Sequence, residues 1–193
     1  LHLCHHNLET IDTTSTKHDL LAEVCMAAKY EGQSIKTHYT IYKETNPGTA
    51  SQLCTVLARS FADIGDIVRG KDLFLGNDKE KEQRKKLDDK LKKIFKKIHS
   101  EVTTNGKNVD ALKDRYKKDP GFFKLREDWW TANRETVWEA ITCNDDNKLR
   151  DASYFRPTCS HVDGRGGAQA NNKCRCDDNQ VPTYFDYVPQ FLR

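Results

Sequence analysis

The sequence predicts an all-α domain pinned by disulfides. Three observations carry that expectation. Apolar residues recur at three- and four-residue spacing through most of the chain before Cys143, and no segment alternates apolar and polar residues for long enough to read as a strand. Seven cysteines (Cys4, Cys25, Cys54, Cys143, Cys159, Cys174 and Cys176) are scattered without metal-site rhythm, which favours staples and an oxidising, extracellular setting. The apolar fraction is 36% against 32% charged, a thin core for 193 residues, so cross-links supply part of what the core lacks.

The first helix is expected from about Lys17 to Tyr30, with an extension to Tyr42 if Gly32 is tolerated. Thr13 to Thr16 supply capping chemistry, Asp19 follows Thr16 by three residues, and Leu20, Leu21, Val24, Ala27 and Ala28 form the apolar face. Asn46-Pro47-Gly48 breaks the pattern. Ser51 is the expected cap of a second helix with Leu53, Val56, Leu57, Phe61, Ile64 and Ile67 on its apolar face, and Gly70 suits its stop. Gly65 lies inside that helix, where glycine is costly, so either another group approaches there or the helix bends.

Gly76-Asn77-Asp78 opens a third helix, about Lys79 to Val102, closed by Asn105-Gly106. Leu87, Leu91, Ile94, Phe95, Ile98 and Val102 cover about 100° of arc at 100° per residue. Lys85, Lys86, Lys92, Lys93, Lys96 and Lys97 fall on the opposite side. A short helix is expected over Val109–Tyr116. Asp119-Pro120 is expected to start another, since proline is tolerated in a first turn. Phe122, Leu125, Trp129, Val137 and Ile141 form its stripe, with Trp130 and Trp138 widening it, and at least Trp129 and Trp138 are expected in the core. Beyond Cys143 the chain turns loop-rich. Asp163 to Gly167 reads as a flexible loop, Cys174-Arg175-Cys176 as a double staple, and the aromatic segment from Val181 onward as a strap docked on the helices.

Cysteine pairing is left open by spacing. Cys25 and Cys54, on successive helices expected to be antiparallel neighbours, are a candidate pair. Cys143, Cys159, Cys174 and Cys176 are expected to staple the second half. Seven is odd, and the chain begins at Leu1 without an initiator methionine or signal peptide, which reads as a piece of a longer secreted or surface protein.

The net charge of +3 conceals an uneven distribution. Between Lys79 and Lys97 lie ten basic and four acidic residues, so the remainder of the chain is net negative. No run is apolar enough to cross a bilayer. The basic helix is the best chemical signal: a row of lysines neutralises sulfates or phosphates in a salt-dependent way. An anionic glycan suits a stapled extracellular domain better than nucleic acid does, and the bland alternative is a solvated helix surface. Cys4-His5-His6 has zinc-ligand chemistry but lacks a paired motif, so no metal and no cofactor are expected. Asp145-Asp146 and Asp177-Asp178 read as polar turns, and Gly164 to Gly167 lacks the strand and helix of a phosphate cradle. A Cys/His nucleophile would need a low-pKa thiol. No catalytic residues are assigned, and the chain is read as a non-enzyme.

Several longer blocks carry a resemblance. Ala58 to Ile67, Arg69 to Leu73, Leu125 to Arg134, Val137 to Cys143, Cys174 to Cys176 and Pro182 to Gln190, with Leu1 to Cys4 and Cys25 to Gly32 upstream, resemble the Duffy-binding-like domain. The combination is similar to the alpha-type domain near the head of the malaria parasite's erythrocyte membrane protein 1 variant antigens. That resemblance implies a disulfide-linked helical adhesion domain on the surface of the infected erythrocyte, anchored by a membrane protein. It implies partners on the host erythrocyte or endothelium: a surface receptor, a sulfated glycosaminoglycan of the heparan sulfate kind, a blood-group glycan or a complement receptor, and host antibodies. It further implies three subdomains, of which residues 1–50 supply part of the first and 51–193 most of the second, with the domain truncated at both ends. Variation is expected within Asn77–Asp119 and Asn144–Asn172, the shared blocks acting as scaffold. The alternative is an antigenically variable spacer or decoy with no receptor of its own.

Overall fold

A computed structural model describes residues 17–45, 52–73, 76–104, 108–143, 148–160 and 167–193. The expected Cys4-His5-His6 cluster, the Thr13–Thr16 and Ser51 caps, the Asn105-Gly106 stop, Asp145-Asp146 and the loop 163–166 lie outside the described residues. Five α-helices carry the described chain: α1 (Lys17–Thr45), α2 (Leu53–Arg69), α3 (Asp78–Thr104), α4 (Val109–Arg115) and α5 (Phe123–Ile141). The only strands among the described residues, β1 (Cys159–Ser160) and β2 (Gly167–Ala168), form one short antiparallel ladder pairing Cys159 with Ala168 and Ser160 with Gly167. Two 3-10 turns, Phe185–Tyr187 and Gln190–Leu192, end the chain in place of any further helix.

Helix α5 is the hub, packed on α1 and α2, with α3 alongside. Two glycines let the helices close on it. A Cβ at Gly32 would lie 2.1 Å from the carbonyl oxygen of Ile141, so α1 runs through Gly32 to Thr45 because tertiary contact outweighs the local propensity cost. A Cβ at Gly65 would lie 2.7 Å from the Trp130 ring, so the second helix keeps glycine for close ring approach. All three tryptophans are buried, Trp130 completely. Phe61 of α2 packs at 5.0 Å on Trp130 and edge-on at 5.2 Å on Trp138, while Trp129 meets Phe95 of α3 edge-on at 6.1 Å. Adjacent positions on a helix point about 100° apart, so Trp129 and Trp130 serve different neighbours.

The start of α5 differs from the expected one. Pro120 lies in the preceding turn, and the helix begins at Phe123 after Phe122 adopts a left-handed φ of 60°. Asp119 supplies the cap, its Oδ2 accepting from the backbone N–H of Lys124 at 2.9 Å. The missing N–H of proline is accommodated as well in a turn as in a first helical turn, so composition did not separate the two.

Cysteine pairing also differs. Cys54 at the head of α2 bonds to Cys174, and Cys159 bonds to Cys176. The Cys25–Cys54 pair is therefore wrong, and Cys143 is a thiol and not part of a staple. Cys25 is half-buried, close enough to Glu139 of α5 to feel its charge; burial first, and that charge second, push its thiol pKa up to about 11. This is opposite to what an activated nucleophile requires. Cys54 is fully buried on the side of α2 facing the Cys174 turn, so the staple joins the helical half to the loop-rich half.

Candidate functional site

The basic segment becomes a platform through its own cap and one buried arginine. Asn77 Oδ1 accepts from the Glu80 N–H at 2.9 Å, and Glu80 Oε2 accepts from the Asn77 N–H at 2.8 Å, a reciprocal capping box that starts α3. Leu87, Leu91, Ile94, Phe95 and Ile98 are buried along one side. Arg126 of α5, wholly buried, donates to Asp88 at 2.9 Å and to the carbonyls of Val68 and Ile67 at the end of α2. It thus ties α3 to α2 while completing the carbonyls that a helix C-terminus leaves open. Its guanidinium fills the space beside Gly70, the left-handed C-cap of α2.

With that face buried, the six lysines predicted from sequence all lie on the outer surface of α3. Lys85, Lys86, Lys93, Lys96 and Lys97 are exposed, and Lys92 is half-buried. They are not equivalent. Lys92 pairs with Asp88 at 2.7 Å, and Lys86 pairs with Glu82 at 2.8 Å one helical turn away. Burial raises the Asp88 carboxyl pKa, but hydrogen bonds from Lys92 and Arg126, together with their charges, outweigh it and hold the carboxyl below the usual range. Glu82 is lowered by its hydrogen bond to Lys86 and by that ammonium's charge.

Lys90 was absent from the predicted set. It lines a groove of about 500 Å³ with Gln83, Lys86, Leu87, Asp89 and Lys93. The signal was present: Lys86, Lys90 and Lys93 follow the i, i+4, i+7 period of one helical row. Lys90 falls outside the predicted set because it flanks the apolar stripe instead of opposing it.

The long shared blocks converge on a second polar cluster, which is buried. Asp186 accepts from Trp130 Nε1 at 3.0 Å and takes two bonds from Arg134 at 2.8 Å each. Arg69 pairs with Asp66 at 2.9 Å and Glu127 at 3.1 Å, and donates to the Asp186 carbonyl. The guanidinium groups of Arg69 and Arg134 lie 5.9 and 5.2 Å from the centroid of the Tyr187 ring. Arg193 reaches back to Asp63 and Asp66 of α2. These side chains join α2, α5 and the aromatic strap; Asp66, Arg69, Trp130 and Asp186 are buried, and Tyr187 is exposed at the rim. Among the described residues, no group of three or more histidine, cysteine or acidic side chains could hold a metal ion, and no helix is long and apolar enough to cross a membrane.

The Duffy binding domain family profile matches residues 1–193. The crystal structure of the NTS-DBL1(alpha-1) domain of Plasmodium falciparum membrane protein 1 (PfEMP1) from the varO strain superposes with a TM-score of 0.75 at 41% identity, covering 99% of this chain and 40% of that one. The ICAM-1-binding PfEMP1 IT4var13 DBLbeta domain matches at 32% identity and a TM-score of 0.68, covering 100% of this chain and 39% of that one. The same IT4var13 domain bound to ICAM-1 matches with a TM-score of 0.66, covering 99% of this chain and 40% of that one. The chain thus spans about two fifths of the length of these related structures. No curated protein matches it.

Proposed function

The chain belongs to the Duffy binding domain family, and from that premise we propose that it is part of a non-enzymatic adhesion domain of a variant antigen on the infected erythrocyte, contacting a receptor on a host cell. The observation that carries the contact is the outer face of α3. It concentrates the positive field of a chain whose remainder is net negative, and Arg126 ties it to the core through Asp88. Ammonium groups in a row attract sulfates and release counterions, so the partner is an anionic glycan on the host surface, with sulfated chains ahead of blood-group sugars. The IT4var13 relative has a protein receptor, ICAM-1, and a protein contact through surfaces outside this chain is compatible with a glycan contact on α3. We assign residues 1–50 to the first subdomain and 51–193 to the second, with the shared blocks as scaffold.

The test is adhesion of labelled chain to erythrocytes and endothelial cells, measured by flow cytometry against salt and soluble heparin. Saturable binding that heparin displaces, and that is lost when Lys85, Lys86, Lys92, Lys93, Lys96 and Lys97 are all changed to Ser, is the expected result. Binding unaffected by those changes refutes the site. Absence of binding both by the chain and by the complete domain that contains it leaves the spacer role instead.

A further inference from the structure

Resting on the adhesion reading above but not on its polyanion site, we propose that the turn Phe155-Arg156-Pro157 is a preformed contact for a protein receptor on the host cell. Its guanidinium takes a carboxylate of the receptor, and the rim of the Phe155 ring enters an apolar slot beside it. Phe155, Arg156 and Pro157 are exposed in succession, Phe155 by 45%, between the buried Tyr154 and Cys159. An aromatic ring beside an arginine is the pairing that protein interfaces enrich, whereas lysine is depleted there.

The turn is irregular in shape yet fixed on both sides. The Tyr154 N–H donates to the Ala170 carbonyl at 2.9 Å, and the Tyr154 carbonyl accepts from Gln169 Nε2 at 2.8 Å. Its hydroxyl donates to Thr183 Oγ1 at 3.1 Å. On the other side the Thr158 hydroxyl donates to the Pro182 carbonyl, and Cys159 is held twice, by the β1–β2 ladder and by Cys176. Between these anchors the Thr158 N–H closes back on the Arg156 carbonyl at 3.0 Å, a three-residue turn about Pro157, whose ring fixes φ. A loop ordered before it meets its partner loses little further freedom on binding. Loops held in this way on a rigid scaffold are where binding residues concentrate.

Arg156 is uncommitted within the fold. Its guanidinium lies 5.2 Å from the centroid of the Phe155 ring, and no carboxylate of the described residues pairs with it. The arginines of the helical body differ: Arg69, Arg126 and Arg134 are each paired with an acid of their own domain. The planar fork of a guanidinium matches a carboxylate through two parallel hydrogen bonds, which gives direction as well as charge. The neighbouring ring argues for a protein over a sugar. Phe155 is engaged by Arg156 and, at 5.1 Å and 57°, by the Tyr154 ring, so it offers a rim in place of the open face on which a sugar would stack.

The test is binding of labelled chain to erythrocytes and endothelial cells in excess soluble heparin, which silences the α3 lysines. R156Q, R156K and F155A are compared with R150Q, which makes the same charge change at an exposed arginine of the same loop outside the turn. Far-UV circular dichroism and thermal melting confirm that each variant folds. Heparin-resistant binding that trypsin treatment of the cells abolishes is the expected result. R156Q and F155A are expected to weaken it about tenfold or more, R156K about threefold or more, and R150Q less than about twofold. Equal effects of R156Q and R150Q overturn the proposal, as does the absence of heparin-resistant binding while the unaltered chain binds without heparin. Binding that survives trypsin, or is lost to heparinase or neuraminidase, overturns the protein assignment. A chain that binds neither cell type even without heparin removes the adhesion reading itself, and this contact with it.

Discussion

Asp186 shows how one residue holds a fold together. Its carboxylate is buried and engages the Trp130 indole and the Arg134 guanidinium. Replacing one member of such a pair leaves the other charge buried without compensation, which costs about 3–5 kcal/mol. The variant Asp186→Asn is expected to lose stability on that scale in urea unfolding, with Arg134 as the stranded charge; the double change with Arg134→Met should recover part of it. Cys25 supplies a chemical test at the same scale. A thiol pKa pushed up to about 11 from 9.0 leaves about a hundredfold less thiolate at neutral pH. Alkylation of native protein at Cys25 should therefore be slower than that of the unfolded chain by at least that factor. Because the folded pKa is the higher one, this group's contribution is fully present below pH 9 and is lost as the pH rises toward 11. Cys25→Ser should remove that alkaline component of the stability curve.

At the scale of elements, α3 is the informative case. Its charged side chains would make it marginal alone, and its stability comes from a cap, an apolar stripe and the Arg126 tether. Asn77→Ala removes half of the capping box, and a loss of about 1 kcal/mol is expected, with faster amide exchange confined to the first turn of the helix. The same helix shows what periodicity delivers. The buried stripe and the outward lysines were legible because helical spacing alone sorts one side from the other. The engagement of Lys92 by an Asp88 that Arg126 also holds was not, because it depends on what a neighbouring element brings up. Asp88 is engaged by an arginine 38 residues away, and no local pattern announces that.

Across the whole molecule, the two disulfides differ in what they close. Cys54–Cys174 spans 120 residues and joins the helical half to the loop-rich half, whereas Cys159–Cys176 spans 17 and stays within the loops. On loop-closure grounds the long link contributes about 4–5 kcal/mol and the short one about 3. Cys54→Ser/Cys174→Ser should therefore lower the thermal midpoint more than Cys159→Ser/Cys176→Ser, as read by calorimetry. The pairing itself could not be read from spacing, since partner choice is settled by which side of α2 faces the Cys174 turn. Gly65 teaches the same lesson in miniature: the sequence marked it as a close approach or a bend, and only the position of Trp130 distinguishes the two.

Helical class, the order of the elements, the buried tryptophans and the outward basic row of α3 follow from the order of residues alone, because each depends on periodicity and on caps within a few positions. The Cys54–Cys174 pairing and the buried Arg69–Asp186 and Arg126–Asp88 contacts belong to the tertiary structure. They join groups separated by tens of residues, and burial sets both the worth of each charge and the partner it meets.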